Sequence, residues 1–552
     1  MLFKDSKEKE ISKYIKKLNN INNKILKLEN KKELNNLDSY KLENLYINKK
    51  CCEHIINEFE TKSFEDAKIE KALTYEKKKR HQILQGKILP TILMICIPLM
   101  LYQFFNSFYN IIDQIMAANI EENAISKIGV IAQIKNSVSA FGGGLAGGGA
   151  VLVARYYGAG ELDHARKAGA NMFFVSILMS AIILVLFIPL SYPILKIAQT
   201  PNINSNTITY FILCLIELIF VSINNIFIGL EKIKGNSKKI LYLNIGMLLI
   251  KLALNAFFVY VVKVNNIAYL ELSTIIGQFV LFSIGIVIMF GRKNMLQIKI
   301  SNMKPKKLYI VPIIKLSVPI FFGKFVMNLG KAVVNGMCGS FYNLQTDGMI
   351  TGALAVSNNL SGLVTSPISV YEEGQSTIVS QNIGNRNLKR TLKTFKTTLL
   401  VVAVFCTIGF ILVRFVFLDE LTKLFSITKT QTSTNGLSMS ELIKEIFYFD
   451  SLSIPALGLT SCLLGLLYGY GKTFLSGILN GSRILIRIIT LAICHGIGID
   501  YHAAGISMGI SNILIGVMSL IALIIFMIDL KKNGYKGIRL EEPEPDKKEL
   551  VF

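Results

Sequence analysis

Apolar residues in this chain gather into long runs separated by short polar stretches. A helix needs about 20 predominantly apolar residues to cross the hydrocarbon core of a bilayer. Twelve runs reach that length, over 90–117, 126–155, 169–196, 207–230, 239–262, 268–290, 311–342, 349–381, 396–417, 447–470, 474–497 and 504–529. The pattern predicts an all-α polytopic membrane protein with twelve transmembrane helices. Residues 1–86 read differently: Ile11, Tyr14, Leu18, Ile21, Ile25 and Leu28 follow a 3,4 spacing, which predicts a short coiled coil or helical hairpin.

The two halves of the apolar region repeat each other. GGAVLVARYYGAGELDHARK (148–167) lies over GQSTIVSQNIGNRNLKRTLK (374–393) with five identities, and 229–251 lies over 465–487 with seven, placing Lys251 above Arg487. Each half has an even number of spans, so both insert in the same orientation. This predicts a parallel repeat about an axis along the membrane normal, as in secondary transporters. The expected organisation is an N-terminal extension at 1–86, a first six-helix lobe at 87–291, a linker at 292–310, a second six-helix lobe at 311–530 and a tail at 531–552.

Composition supports a membrane protein: 51% of the 552 residues are hydrophobic and 18% charged, with a mean hydropathy of +0.47. The formal charge of +23 is spread between the apolar runs and not gathered on one solvated domain, which argues against nucleic acid as a partner. Alternate connections at 155–168, 231–239, 291–309, 385–397 and 468–473 carry 3, 4, 6, 5 and 1 Lys or Arg. An excess of these residues marks the cytoplasmic side, so both termini are expected in the cytoplasm and the protein in the plasma membrane. A long outer loop is expected at 418–446. The opening 86 residues contain no cleavable leader pattern, which puts the start of insertion at an internal span. The eight cysteines show no CxxC spacing, and packing is their expected use, with no metal site.

Pro98 followed by YNIIDQIMAA, the Gly-rich second span ending VARYYGAGELDHARKAG, its echo SQNIGNRNLKR, and GNSKK leading into a span with NAFFVY resemble the multidrug and toxin extrusion (MATE) transporters. The likeness covers about 90–530 and leaves the extension outside. It implies two six-helix lobes forming a V-shaped cavity. It also implies export of amphipathic, cationic compounds by alternating access, in exchange for Na+ or H+ and with no bound cofactor.

By the same resemblance, Asp113 matches the acidic residue associated with coupling-ion binding, and Asn255 stands where relatives often carry Asp or Asn. A structural acid and an amide bonding a neighbouring helix are the alternatives. Ionisable side chains inside spans are expensive, about 2.5–3.5 kcal/mol each at mid-bilayer, so each needs an explanation. Glu372 and Glu373 are either a second-lobe coupling site or partners of Lys324 or Lys331. Glu217 is a third acid. Lys135, Lys251, Lys324, Lys331 and Arg487 also fall within spans, either lining a cavity for an anionic group or paired with those acids. Arg414 reads as a residue reaching towards headgroups, and His495 as a packing residue.

The alternative function is a flippase or exporter of an anionic lipid or lipid-linked envelope precursor. Five scattered histidines argue against a membrane-embedded enzyme. GYGKT at 469–473 lacks the first glycine of a phosphate loop, because Leu466 stands there. Expected partners are a small-molecule substrate and membrane lipids, with the extension available to a protein partner or to anionic headgroups.

Overall fold

In the computed structural model, the residues described are 2–31, 36–118, 120, 124–197, 200, 203–346, 349–420, 422 and 438–535. Three helices form the N-terminal arm: α1 (Leu2–Glu29), α2 (Asn36–Thr61) and α3 (Phe64–Gln85). The first lobe contains α4 (Ile88–Ala118), α5 (Ala124–Ala159), α6 (Leu162–Phe187), the short α7 (Ser191–Ile197), α8 (Ser205–Ile233), α9 (Ser237–Ala256) and α10 (Ala268–Phe290). The second contains α11 (Lys307–Thr346), α12 (Ile350–Gly384), α13 (Leu388–Ile411), α14 (Met439–Ser451), α15 (Ile454–Gly469), α16 (Thr473–Gly496) and α17 (Ala503–Asn533).

Ten of these helices are long and apolar enough to cross a membrane, among the described residues. An eleventh span is the pair α14 and α15, bent by 51°. The twelfth is α12, whose inward faces carry buried Ser357, Gln375, Ser380, Gln381 and Asn382. A helix enclosed by protein does not need the apolar surface that lipid demands of an exposed one. Elsewhere many large apolar side chains are exposed, Val185, Val287, Leu400 and Ile525 among them, as lipid-facing surfaces require. The protein is therefore a multi-pass membrane protein of twelve spans.

Two boundaries differ from the sequence expectation. The span expected at 169–196 ends at Phe187, and α7 follows as a separate turn. The span expected at 447–470 begins at Met439 and breaks after Ser451; Pro455 then sits in the first turn of α15, where a missing N–H leaves no broken bond. The expected outer loop at 418–446 falls largely outside the described residues, as does the tail beyond residue 535.

The repeat is visible in the backbone. Gly160 after α5 has φ +88°, and Arg386 after α12 has φ +57°. Gly235 after α8 has φ +74°, and Gly471 after α15 has φ +69°. In the aligned stretches 160 pairs with 386 and 235 with 471, so left-handed turns recur at equivalent places. Arg386 takes a conformation that costs a residue with a side chain about 1–3 kcal/mol.

The lobes meet reciprocally. Helix α5 packs along α11, and its repeat counterpart α12 packs along α4. A Cβ on Gly158 would collide with the carbonyl of Gln381, and one on Gly384 with the carbonyl of Arg155. Because 155 pairs with 381 and 158 with 384, these are one contact made twice across the pseudo-twofold axis. Further along α5, a Cβ on Gly148 would lie 2.6 Å from the Ser317 nitrogen and one on Gly144 2.8 Å from that of Phe321. Nearer the other end of α5, a Cβ on Gly129 would meet open space. The lobes are thus sealed at the ends of α5 and α12 that bear these glycines.

The arm sits against that sealed end. Its core is Tyr14, Ile21, Ile25, Cys51, Cys52, Ile55, Phe59 and Ala67, which includes part of the stripe expected on α1. Ser63 caps α3 by accepting from the Asp66 N–H at 3.2 Å. On α3, Glu76 pairs with Lys234 at 2.9 Å and accepts from the Met295 N–H at 2.8 Å. Arg80 donates to the Tyr157 carbonyl at 2.8 Å. From the second lobe, Arg390 donates to the carbonyls of Ile83 at 3.1 Å and Gly86 at 2.5 Å.

Candidate functional site: a polar centre in each lobe

Tyr109 and Asp113 lie one turn apart on α4, and Lys251 and Asn255 have the same spacing on α9, so each pair shares a helix face. The two faces meet. Asn255 Nδ2 donates to Asp113 Oδ1 at 2.6 Å and to the Tyr109 hydroxyl oxygen at 2.8 Å. The Tyr109 hydroxyl in turn donates to the same carboxylate oxygen at 3.3 Å. The Lys251 ammonium stands 4.5 Å from the Tyr109 ring centroid, within cation–π range. Asn255 is fully buried, and its Oδ1 has no hydrogen-bond partner.

Lys135 of α5 completes this centre. Its ammonium is ion-paired with Glu217 of α8 and lies 2.9 Å from Glu271 of α10. Both glutamates are buried. Buried charges persist when they are paired and hydrogen-bonded. Asp113, Glu217 and Glu271 against Lys135 and Lys251 leave the first-lobe centre with one formal negative charge.

The second-lobe centre has the opposite balance. Arg483 and Arg487 lie one turn apart on α16, and Lys331 of α11 lies within electrostatic range of both. Arg483 Nε and Arg487 Nη2 donate to the same Asn512 Oδ1, at 2.7 and 3.1 Å. Arg487 Nε also donates to Ser511 Oγ at 3.2 Å. Asn512 is oriented by its other end, where Nδ2 donates to Asp450 Oδ1 at 3.1 Å and to Ser453 Oγ at 2.8 Å. Ser361 occupies the other oxygen of Asp450. Three cations and one carboxylate give this centre two formal positive charges.

Of the residues singled out by sequence, Asp113, Asn255, Glu217, Lys135 and Lys251 come together in the first centre, and Lys331 and Arg487 in the second. Glu372, Glu373 and Lys324 stand apart, at the boundary between the lobes. Glu373 pairs with Lys232 of α8 at 2.6 Å, not with Lys324 or Lys331. Lys324 reaches towards α5, 3.7 Å from where a Gly143 Cβ would lie, and lies within electrostatic range of Glu372. Arg414 donates to the Tyr448 carbonyl at 3.0 Å and Ser451 Oγ at 2.8 Å, so it closes the end of α14 instead of reaching to headgroups. His495 stacks on Phe341 with centroids 3.9 Å apart.

Glu271, Asp450, Arg483 and Lys232 were not singled out. Arg483 carried a usable signal, because it precedes Arg487 by one helical turn. Glu271 and Asp450 lie near the ends of apolar runs, where an acid ordinarily marks the boundary.

The family model MatE matches residues 98–257 and 319–493, one stretch in each lobe. Among solved structures, an outward-facing multidrug resistance MATE family transporter of the MOP superfamily superposes with a TM-score of 0.75 at 15% identity, covering 82% of this chain and 99% of that one. A MOP superfamily transporter from Pyrococcus furiosus Vc1 (DSM3638), described as having a binding pocket of reverse polarity that suggests a different function, gives 0.74 at 15%, with the same coverage of 82% and 99%. A MATE in the straight conformation gives 0.72 at 16%, again covering 82% and 99%. At such identities the likeness is one of fold. No curated protein matches the sequence.

Proposed function

The chain belongs to the MatE family of membrane transporters, and on that premise we propose that it is a secondary antiporter exporting amphipathic organic compounds in exchange for protons. The observation that carries the choice of proton is the surrounding of Asp113. Among the described residues, the groups that contact its carboxylate, Asn255 Nδ2 and the Tyr109 hydroxyl, approach it as donors, and two ammonium groups belong to the same centre. A metal cation such as Na+ requires a cage of oxygen ligands. A proton needs only the carboxylate, and binding one takes the centre from one negative charge to neutral.

In this reading the family's two-lobe fold works by alternating access, and the sealed end faces the cytoplasm, together with the arm and the Lys/Arg-rich connections. The membrane is the plasma membrane. Asp113 carries the exchanged proton, Asn255 and Tyr109 position it, and Glu217, Glu271 and Lys135 hold α5, α8 and α10 around it.

The test is uptake of a fluorescent amphipathic dye by proteoliposomes under an imposed pH gradient or an imposed Na+ gradient. Uptake driven by the pH gradient alone, and lost in Asp113→Asn, is the expected result. Uptake driven by Na+ at uniform pH would overturn the choice of proton, and unaltered uptake in Asp113→Asn would overturn the role of that residue. A second reading, export of an anionic lipid or lipid-linked precursor, is favoured by one observation, the excess of positive charge in the second-lobe centre.

A further inference from the structure

Among the described residues, no carboxylate lies within ion-pair distance of Lys331, Arg483 or Arg487, although all three stand inside the second lobe. The lobe's nearby acid, Asp450, is committed elsewhere: its oxygens accept from Asn512 and Ser361. What the guanidinium groups receive is a single neutral amide oxygen, shared between them, and one hydroxyl. A guanidinium has five N–H donors, so most of the donors on these two side chains have no acceptor from the protein. The first lobe shows the ordinary solution to the same problem, with Lys135 held directly between two glutamates. Arg487 is the repeat counterpart of Lys251, yet among the described residues Arg487 shares its centre with one acid, Asp450, where Lys251 shares its centre with three.

The placement is built as well as charged. A one-turn spacing puts both guanidinium forks on one face of α16. Helix α11 approaches that face so closely that a Cβ on Gly330 would collide with Ile484, which brings the neighbouring Lys331 alongside. Arg487 is 5% exposed, whereas Lys331 and Arg483 are partly open. Arg487 is thus set deepest in the lobe, with the other two cations partly open beside it. Planar forks with free paired donors match the oxygens of a phosphate bidentately, and a lysine adds a point charge.

We infer that the second lobe contains a binding site for a phosphate group, formed by Lys331, Arg483 and Arg487, with Asp450 and Asn512 positioning the two arginines. The site rests on the transport reading only for its access route. It takes either the headgroup of an anionic lipid or a soluble phosphate compound.

The experiment measures binding to the purified full-length protein without any ion gradient, so its outcome is independent of whether transport is proton-driven. Thermal stabilisation is followed in detergent while inorganic phosphate is added at constant ionic strength, and in nanodiscs with or without phosphatidic acid. Saturable stabilisation by inorganic phosphate is expected if soluble compounds are taken. Stabilisation confined to phosphatidic acid assigns the site to a lipid headgroup. In either case Lys331→Met and Arg483→Gln, both at partly open side chains, should weaken the response about tenfold. Arg483→Lys, which keeps the charge but not the fork, should fall between. No response to either probe, or an unchanged response in both folded variants, would overturn the inference.

Discussion

Glu373 of α12 and Lys232 of α8 form an ion pair at 2.6 Å across the boundary between the two lobes. Its neighbours strengthen the seal. Gln381 Nε2 donates to the Ile233 carbonyl at 2.8 Å, and Arg155 Nη2 to the Gly469 carbonyl at 3.1 Å, each from one lobe to the other. A pair inside one bundle stabilises a fold, whereas a pair between moving bodies stabilises one arrangement of them. Glu373→Gln should therefore leave the lobes folded and favour the arrangement in which this end parts. Cys96 reports on it, being fully buried at the boundary with its sulfur 4.0 Å from the Val370 carbonyl. In a chain retaining only that cysteine, alkylation is expected to be faster in Glu373→Gln and slowed again in the swapped pair Glu373→Lys with Lys232→Glu.

Gly158→Ala places a methyl group where the Gln381 carbonyl already lies. Overpacking of this kind costs about 1–3 kcal/mol. Because the collision exists only while the lobes are sealed, the variant should label faster at Cys96 while retaining most of its helical signal. Gly384→Ala, the repeat counterpart, should behave in the same way. A strong effect from one and none from the other would contradict the reciprocal contact.

Lys135→Met leaves Glu217 and Glu271 buried side by side without their cation. Breaking a buried pair by removing one partner costs about 3–5 kcal/mol, so thermal unfolding in detergent should occur at a clearly lower temperature. Adding Glu217→Gln to that variant removes one stranded charge and should recover part of the loss.

Acid should loosen the arm. Burial lowers the pKa of His54 and of His81 below the ordinary 6.5. Below pH 6.5 the undocked or unfolded chain then binds more protons than the folded one, so stability falls as the pH drops through that value towards the folded pKa values. Hydrogen exchange of α2 and α3 should accelerate between neutral and mildly acid pH, and the double variant His54→Asn, His81→Asn should flatten the dependence.

Much of this architecture was legible in the chain because lipid imposes length. The apolar runs, the even span number in each half and the two echoes, 148–167 with 374–393 and 229–251 with 465–487, follow from what a bilayer and a repeat require, and the turn glycines at 160, 235 and 471 lie within those echoes. What the pattern could not supply is pairing between helices. Lys135 and Glu271 are 136 positions apart and Lys232 and Glu373 are 141, and no periodicity connects residues brought together only by packing. The break in the tenth span was hidden for a related reason: an unbroken apolar run satisfies the lipid whether the helix inside it is straight or bent. Arg483 was within reach, one turn from Arg487, but its counterpart in the first half is Met247, so the repeat gave no hint of charge there.

The arm touches both lobes through one rigid helix. Glu76 and Arg80 fasten α3 to the first lobe, and about 10 Å further along the same rod Arg390 of the second lobe grips the backbone at Ile83 and Gly86. A rod does not stretch. The two lobes can separate at this end only by the slack in those side chains, after which one fastening must let go. Opening the sealed end is thus a two-key lock: the ion pair and glycine contacts between the lobes are one key, and release of the strut laid across them is the other.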